Sequence, residues 1–231
     1  MRTTPPAHAR PAADVARELG SDLALGLAER EAAARLAEVG PNEVERPTRP
    51  DYVRLAAHQL ADPLVVLLVG AAAVSFAIGE SLEAAAIAAI VALNAVFGFA
   101  QEAGAARAVL ALAEAVRELA HVVREGSLRE VEARELVPGD LVRLREGDRV
   151  PADARVVRAL GLEVDESALT GESVPVGKGP EPVPADAPLA ERSSMVYAGT
   201  AVTRGSGLAL VVATGRRTEQ SAIAALTASA A

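Results

Sequence analysis

The chain contains no cysteine and no tryptophan, and aromatic side chains make up only 2% of its 231 residues. Without cysteine there are no disulfides, no thiol catalysis and no Cys-ligated metal, which fits a protein facing a reducing cytosol. Lysine is almost missing as well, since Lys178 is the single Lys among 23 basic residues. The three histidines, His8, His58 and His121, are far apart in sequence and have no ligand spacing, so no metal centre is expected. A net charge of −8, with no basic stripe interleaved with aromatics, argues against a nucleic-acid partner. Residues 1–13 are rich in Pro and Ala and lack an apolar run, so they are not a secretory signal. They are expected to form a disordered tail.

Aliphatic residues are what the chain has in abundance. The hydrophobic share is 51% and the mean hydropathy +0.24. This excess is concentrated in one region, which points to membrane spans rather than to a large soluble core. Pro63 to Gly79 carries no charge, and neither does Ala84 to Gln101. At 1.5 Å per residue each approaches the length needed to cross about 30 Å of hydrocarbon. Glu80-Ser81-Leu82-Glu83 leaves room for a tight helical hairpin, and a buried hairpin in a soluble protein is the alternative. Arg46, Arg49 and Arg54, with Tyr52, approach the first span, and further arginines follow the second. Both outer ends are therefore expected to face the cytosol. Asp62 ahead of Pro63 reads as a helix cap. Asn94 is expected to hydrogen-bond to a neighbouring helix.

On either side of this region the pattern changes. Asp14–Leu19 and Leu27–Val39 read as short helices, the second stopping at Gly40-Pro41 and entered through a weak cap at Ala28. After the second span, helical spacing of Val109, Leu112, Val116 and Leu119 predicts a helix reaching Ala120. From His121 the chain reads as short strands separated by turns such as Glu125-Gly126 and Pro138-Gly139-Asp140. The strands expected are His121–Arg124, Leu128–Val131, Leu141–Leu144, Arg155–Ala159, Leu162–Val164, Val196–Val202 and Leu208–Ala213. Such spacing suggests a small sandwich or distorted jelly roll. Asp140, Asp148 and Asp153 sit in Gly/Pro turns, where caps and Asx-turns are their expected work. Gly177 to Glu191 reads as a mobile acidic loop. Thr218 reads as the N-cap of a last helix ending near Ala228.

The richest stretch is Asp165-Glu166-Ser167-Ala168-Leu169-Thr170-Gly171-Glu172-Ser173-Val174-Pro175-Val176. It places a carboxylate, Glu172, on a glycine turn flanked by hydroxyls, where it can reach a phosphate and its attacking water. The following Gly171 to Gly179 stretch looks like a phosphate-binding loop ending in Lys178. Its spacing is one residue too long, and Gly179 stands where a Ser or Thr should be. Other motifs accompany the acidic turn in a fixed order: Gly40-Pro41-Asn42-Glu43, Asp62-Pro63-Leu64, Leu136-Val137-Pro138-Gly139-Asp140 and Gly147-Asp148-Arg149-Val150-Pro151-Ala152-Asp153. Met195-Val196-Tyr197-Ala198-Gly199-Thr200 and Val211-Val212-Ala213-Thr214-Gly215 follow it.

Together these resemble the front of a P-type cation-transporting ATPase, in its calcium- and sodium-pump branch. The resemblance implies a mixed fold: an α-helical N-terminal extension (14–50), a transmembrane helical hairpin with stalk (51–120) and a small all-β, distorted jelly-roll actuator domain (121–215). Residues 216–231 would be a helix leading toward a third membrane helix. It implies that Glu172 positions and deprotonates the water that hydrolyses an aspartyl phosphate, while Thr170, Gly171 and Ser173 shape the loop. It implies a multi-pass cell-membrane protein whose ends and β domain are cytosolic. Its partners would be the lipid bilayer, the remaining pump domains and a cation, calcium by branch. ATP and Mg²⁺ would serve the complete pump and are not expected to bind these residues. The family's phosphorylation and nucleotide-binding motifs do not occur in the 231 residues, so the fragment alone is expected to be inactive. A membrane-anchored regulatory module and a non-functional truncated remnant are the competing readings.

Overall fold

In a computed structural model the described residues are 5–43, 63–115 and 118–230. The arginine approach (Arg46, Arg49, Arg54), Tyr52, His58 and the Asp62 cap lie outside them. The chain divides into two compact units, 1–45 with 117–231, and 46–116.

The first unit is built on an antiparallel sheet. Its strands are β1 (Leu119–Arg124), β2 (Ser127–Glu132), β3 (Leu141–Arg145), β4 (Asp153–Asp165), β5 (Val176–Gly177), β6 (Met195–Val196) and β7 (Ala201–Ala213). They run in the order β2-β1-β3-β7-β4-β5, with β6 pairing on β4. Because strand side chains alternate between faces, neighbouring residues join different cores. Val142, Ala209 and Val211 enter the main core with Val122, Leu144, Val156, Leu162 and Val164. Leu141 and Leu210, one residue away and paired in register, turn the other way. There they meet Val15 and Ala16 of helix α1 (Ala12–Glu18). Helix α2 (Glu29–Val39) buries Ala32 with Leu27 and Val137.

Several expectations from the sequence change in this unit. The helix expected to reach Ala120 gives way to a strand at Leu119, because Leu119 and Ala120 pair with Glu132 and Val131. Arg155–Ala159 and Leu162–Val164 are halves of one strand, β4, whose register with β7 shifts between Val156 and Arg158 and again between Leu160 and Glu163. Val196–Val202 is interrupted between β6 and β7, where Thr200 closes a turn onto Tyr197 O.

The disordered tail expected over 1–13 is also corrected for residues 5–13, and so is the mobility of the 177–191 loop. His8 is buried, and its carbonyl accepts from Val183 N at 3.0 Å and Ser194 Oγ at 2.9 Å. Arg155, 0% exposed, ties both segments to β4. Its guanidinium donates to the carbonyls of Ala7, Arg10, Pro180, Ser194 and Val156 at 2.7–3.2 Å. Neither segment has a hydrophobic period, so neither reads as ordered alone. Each supplies the other's hydrogen bonds.

Residues 25–27 run beside β1, with Gly126 N donating to Leu25 O and Glu125 N to Leu27 O. Gly26 has φ 72°, and a Cβ there would sit 1.9 Å from Val123 O. Both its backbone conformation and its close approach require glycine. The end of the strip is fixed by Arg124, which is paired twice with buried Asp140 at 2.8 Å and once with Glu29 at 3.1 Å.

The second unit is a helical pair, α3 (Pro63–Ala77) and α4 (Ser81–Ala115), reversed at Gly79 with φ 92°. Ser81–Ala108 of α4 is long and apolar enough to cross a membrane, while Pro63–Ala77 is shorter. Val65, Ala84, Val91 and Ala103 are buried, whereas Leu67, Val74, Phe76, Ile90, Leu93 and Val96 are exposed. Large apolar side chains thus cover much of the outer surface of this unit. Asn94 is exposed on α4.

Candidate functional site

The acidic turn is a loop closing the β4–β5 hairpin. β4 ends at Asp165, whose carboxylate accepts from Ser167 N at 2.9 Å, and this bond holds its pKa below the ordinary carboxylate value. Ser167–Thr170 forms a single helical turn, α5. Three groups converge on the Glu166 carbonyl: Leu169 N at 2.9 Å, Thr170 N at 3.0 Å and Thr170 Oγ1 at 3.1 Å. Gly171 then takes the left-handed conformation, φ 77°, and reverses the chain. Glu172 N donates back to Thr170 Oγ1 at 3.2 Å.

Thr170 and Glu172 are thus joined by a hydrogen bond and Gly171 N donates to Ser167 O at 2.9 Å, while Ser173 is exposed beside them. Glu172 is itself exposed, and Val174 beyond it is 73% exposed. The turn therefore presents a carboxylate outward from a hydrogen-bonded frame. Nothing lies within 4 Å of a Cβ built on Gly171, so its requirement is purely conformational. Gly171→Ala is expected to cost about 1 kcal/mol. It should also disorder the tip, read as faster amide exchange at Glu172 with the β3–β7 amides unchanged.

Below the turn lies a pair that the sequence did not reveal. Lys178 Nζ is 2.6 Å from Glu166 Oε1, and both side chains are at most 1% exposed. Burial pushes the Glu166 carboxyl up and the Lys178 ammonium down, while their mutual attraction opposes both shifts. The ammonium also lies 5.9 Å from the centre of the Tyr197 ring, within cation–π reach. Lys178 therefore faces inward, as its rejection as a phosphate-loop lysine requires. The available signal was a solitary Lys in an arginine-rich chain.

The turn aspartates act as their positions suggested. Asp148 accepts from Arg145 N, and Asp140 accepts from Val137 N while paired with Arg124. Asp153 bridges two elements, accepting from Ala198 N and from Glu219 N at the start of helix α6 (Glu219–Ala230). Thr218 caps the same helix, its Oγ1 accepting from Ser221 N. Burial pushes the Asp153 carboxyl up to about 6. The folded form then holds this proton more tightly than the unfolded one, so the contribution is full below pH 3.8. It is lost as pH rises through about 6. Urea midpoints are expected to fall across that window, and Asp153→Asn should flatten the slope.

A separate groove of about 310 Å³ is lined by His121, Arg143, Asp148 and Arg149 among others, and no residue of the 166–178 loop lines it.

Two family descriptions match the sequence. The cation transporter/ATPase N-terminus covers residues 7–75, and the P-type ATPase actuator domain covers residues 114–228, which includes the whole Glu172 loop. The chain belongs to the P-type ATPase family. It is 45% identical over 212 residues to a probable cation-transporting ATPase F of Mycobacterium tuberculosis, a match covering 92% of this chain and 23% of the relative. It is 40% identical over 218 residues to a calcium-transporting ATPase of Bacillus subtilis, covering 94% and 24%. A sodium/potassium exporting P-type ATPase of Schizosaccharomyces pombe is 36% identical over 215 residues, covering 92% and 21%. The chain thus spans about a quarter of the length of the curated relatives it matches. The helical N-terminal region thus lies in the first match and the antiparallel β domain in the second.

Proposed function

We propose that this chain is the front part of an ATP-driven cation pump and that its β domain hydrolyses an aspartyl phosphate carried on another pump domain. Glu172 would hold a water in line behind the phosphorus and accept its proton as the oxygen attacks. Thr170 and Gly171 shape the turn through the bonds described above, and Ser173 supplies a hydroxyl beside the carboxylate. The observation that carries this reading is an exposed carboxylate on a frame whose other polar groups bond to one another, inside the matched actuator region. ATP and Mg²⁺ belong to other parts of such a pump. The lone ammonium in this stretch, Lys178, is buried against Glu166 and does not fit a phosphate.

The apolar surface of α3 and α4 supports a bilayer as the second unit's surroundings, with the β domain on the cytosolic side. Calcium is the cation we favour, in line with the name of the Bacillus subtilis relative, although the Schizosaccharomyces pombe relative is named for sodium and potassium. The test is Glu172→Gln in the complete pump, which should form its phosphoenzyme and then retain it. Dephosphorylation at the parent rate would overturn the assignment.

A further inference from the structure

The hairpin that carries Glu172 has weak pairing at its base. β5 contributes only two residues, Val176 opposite Val164 and Gly177 opposite Glu163. A ladder this short specifies its register poorly, and a slip of one residue reverses which face each side chain occupies. A slip would also move the loop tip by about 3.3 Å relative to the sheet. For a group that must meet a water and a phosphorus, such a displacement abolishes reaction geometry.

We propose that the buried Glu166–Lys178 ion pair is a register lock for this hairpin and thereby a positioning device for Glu172. The proposal rests on the reading of Glu172 given above. Glu166 is the point from which the turn hangs, because its carbonyl takes three of the bonds that shape α5. Thr170, held there, in turn receives Glu172 N. On the opposite strand Lys178 N donates to Leu162 O at 2.8 Å, so the ammonium rises from a backbone already fixed to β4. The 2.6 Å contact between the side chains joins the two ends of the loop. Sliding either strand by one residue separates the charges inside a site that water does not reach.

Two apolar side chains would close the same base without burying any charge. They would not oppose slippage, since apolar contact is tolerant of position while a buried ion pair is not. The Tyr197 ring, 5.9 Å from the ammonium, lies within cation–π reach of it. Glu166 and Lys178 touch no reacting group and are positioning residues.

The test uses the full 231-residue chain in detergent. Lys178→Met leaves Glu166 unpaired, whereas Glu166→Gln with Lys178→Met leaves two neutral groups. Amide exchange at Leu169, Thr170 and Gly171 is read by mass spectrometry beside the melting temperature. Lys178→Met is expected to melt lower and to exchange these amides at least about tenfold faster. The double variant is expected to recover the melting temperature but keep the fast exchange. If the loop amides recover together with the melting temperature, the pair is only a packing feature and the proposal is overturned. Parent-like loop exchange in Lys178→Met overturns it equally, and if that variant does not fold, the double variant decides alone. This readout needs no phosphoenzyme, so its failure is distinct from normal dephosphorylation in Glu172→Gln, which would remove the catalytic reading instead.

Discussion

Glu172→Gln in the complete pump is expected to slow phosphoenzyme hydrolysis by about 10²–10⁴-fold, the usual contribution of a general base. Gln keeps the volume of the side chain and can still bind a water, but it cannot take the water's proton. Phosphorylation by ATP should proceed as before, because the change removes only the proton acceptor proposed for the later hydrolysis step. The variant should therefore accumulate radiolabelled phosphoenzyme that resists a chase with unlabelled ATP. Glu172→Asp separates position from proton affinity, since it keeps the carboxylate and withdraws it by one methylene. A misplacement of about 1 Å at a reacting centre is worth about 10²-fold. Asp should thus be slow as well, with a pH dependence like that of the parent. An Asp variant as fast as the parent would show that the carboxylate does not act at close range.

The largest expected effect on stability belongs to Arg155→Met. The change removes a guanidinium that is fully buried and donates to carbonyls from the N-terminal segment, the 177–194 loop and β4. Burial already presses the guanidinium pKa downward, with the charge of Glu181 opposing. Its place is therefore held by hydrogen bonds rather than by an ion partner. Breaking a buried charged network costs about 3–5 kcal/mol. In a unit of this size that lowers the melting temperature by about 10 °C. The loss should begin locally, with cleavage after Arg192 by trypsin accelerating before the β3–β7 amides open. A melting temperature within about 2 °C of the parent would mean that the tail and loop hold their places without it.

Some features were legible in the sequence because they rest on local periodicity and turn chemistry. The apolar run of α4, the stop of α2 at Gly40, the Thr218 cap and the strand at Leu141 are of this kind. The Glu172 turn was legible through its own residues and through the order of the motifs around it. What failed had a common cause. Leu119 and Ala120 satisfy a helical period yet form a strand, because Glu132 and Val131 offer pairing partners. Residues 5–13 and the acidic loop look patternless, yet they order each other around Arg155.

By itself, the sequence determined that this chain has an apolar helix of spanning length, a β domain and a carboxylate on a glycine turn. These follow from side-chain spacing and from conformations that only certain residues adopt. Only the tertiary structure decided that Lys178 meets Glu166, that Asp153 bridges Ala198 and Glu219, and that one arginine gathers three separate segments. Each of these joins positions that the chain itself keeps apart. Partnership between buried charges depends on where the backbone brings them, and no local pattern encodes that distance.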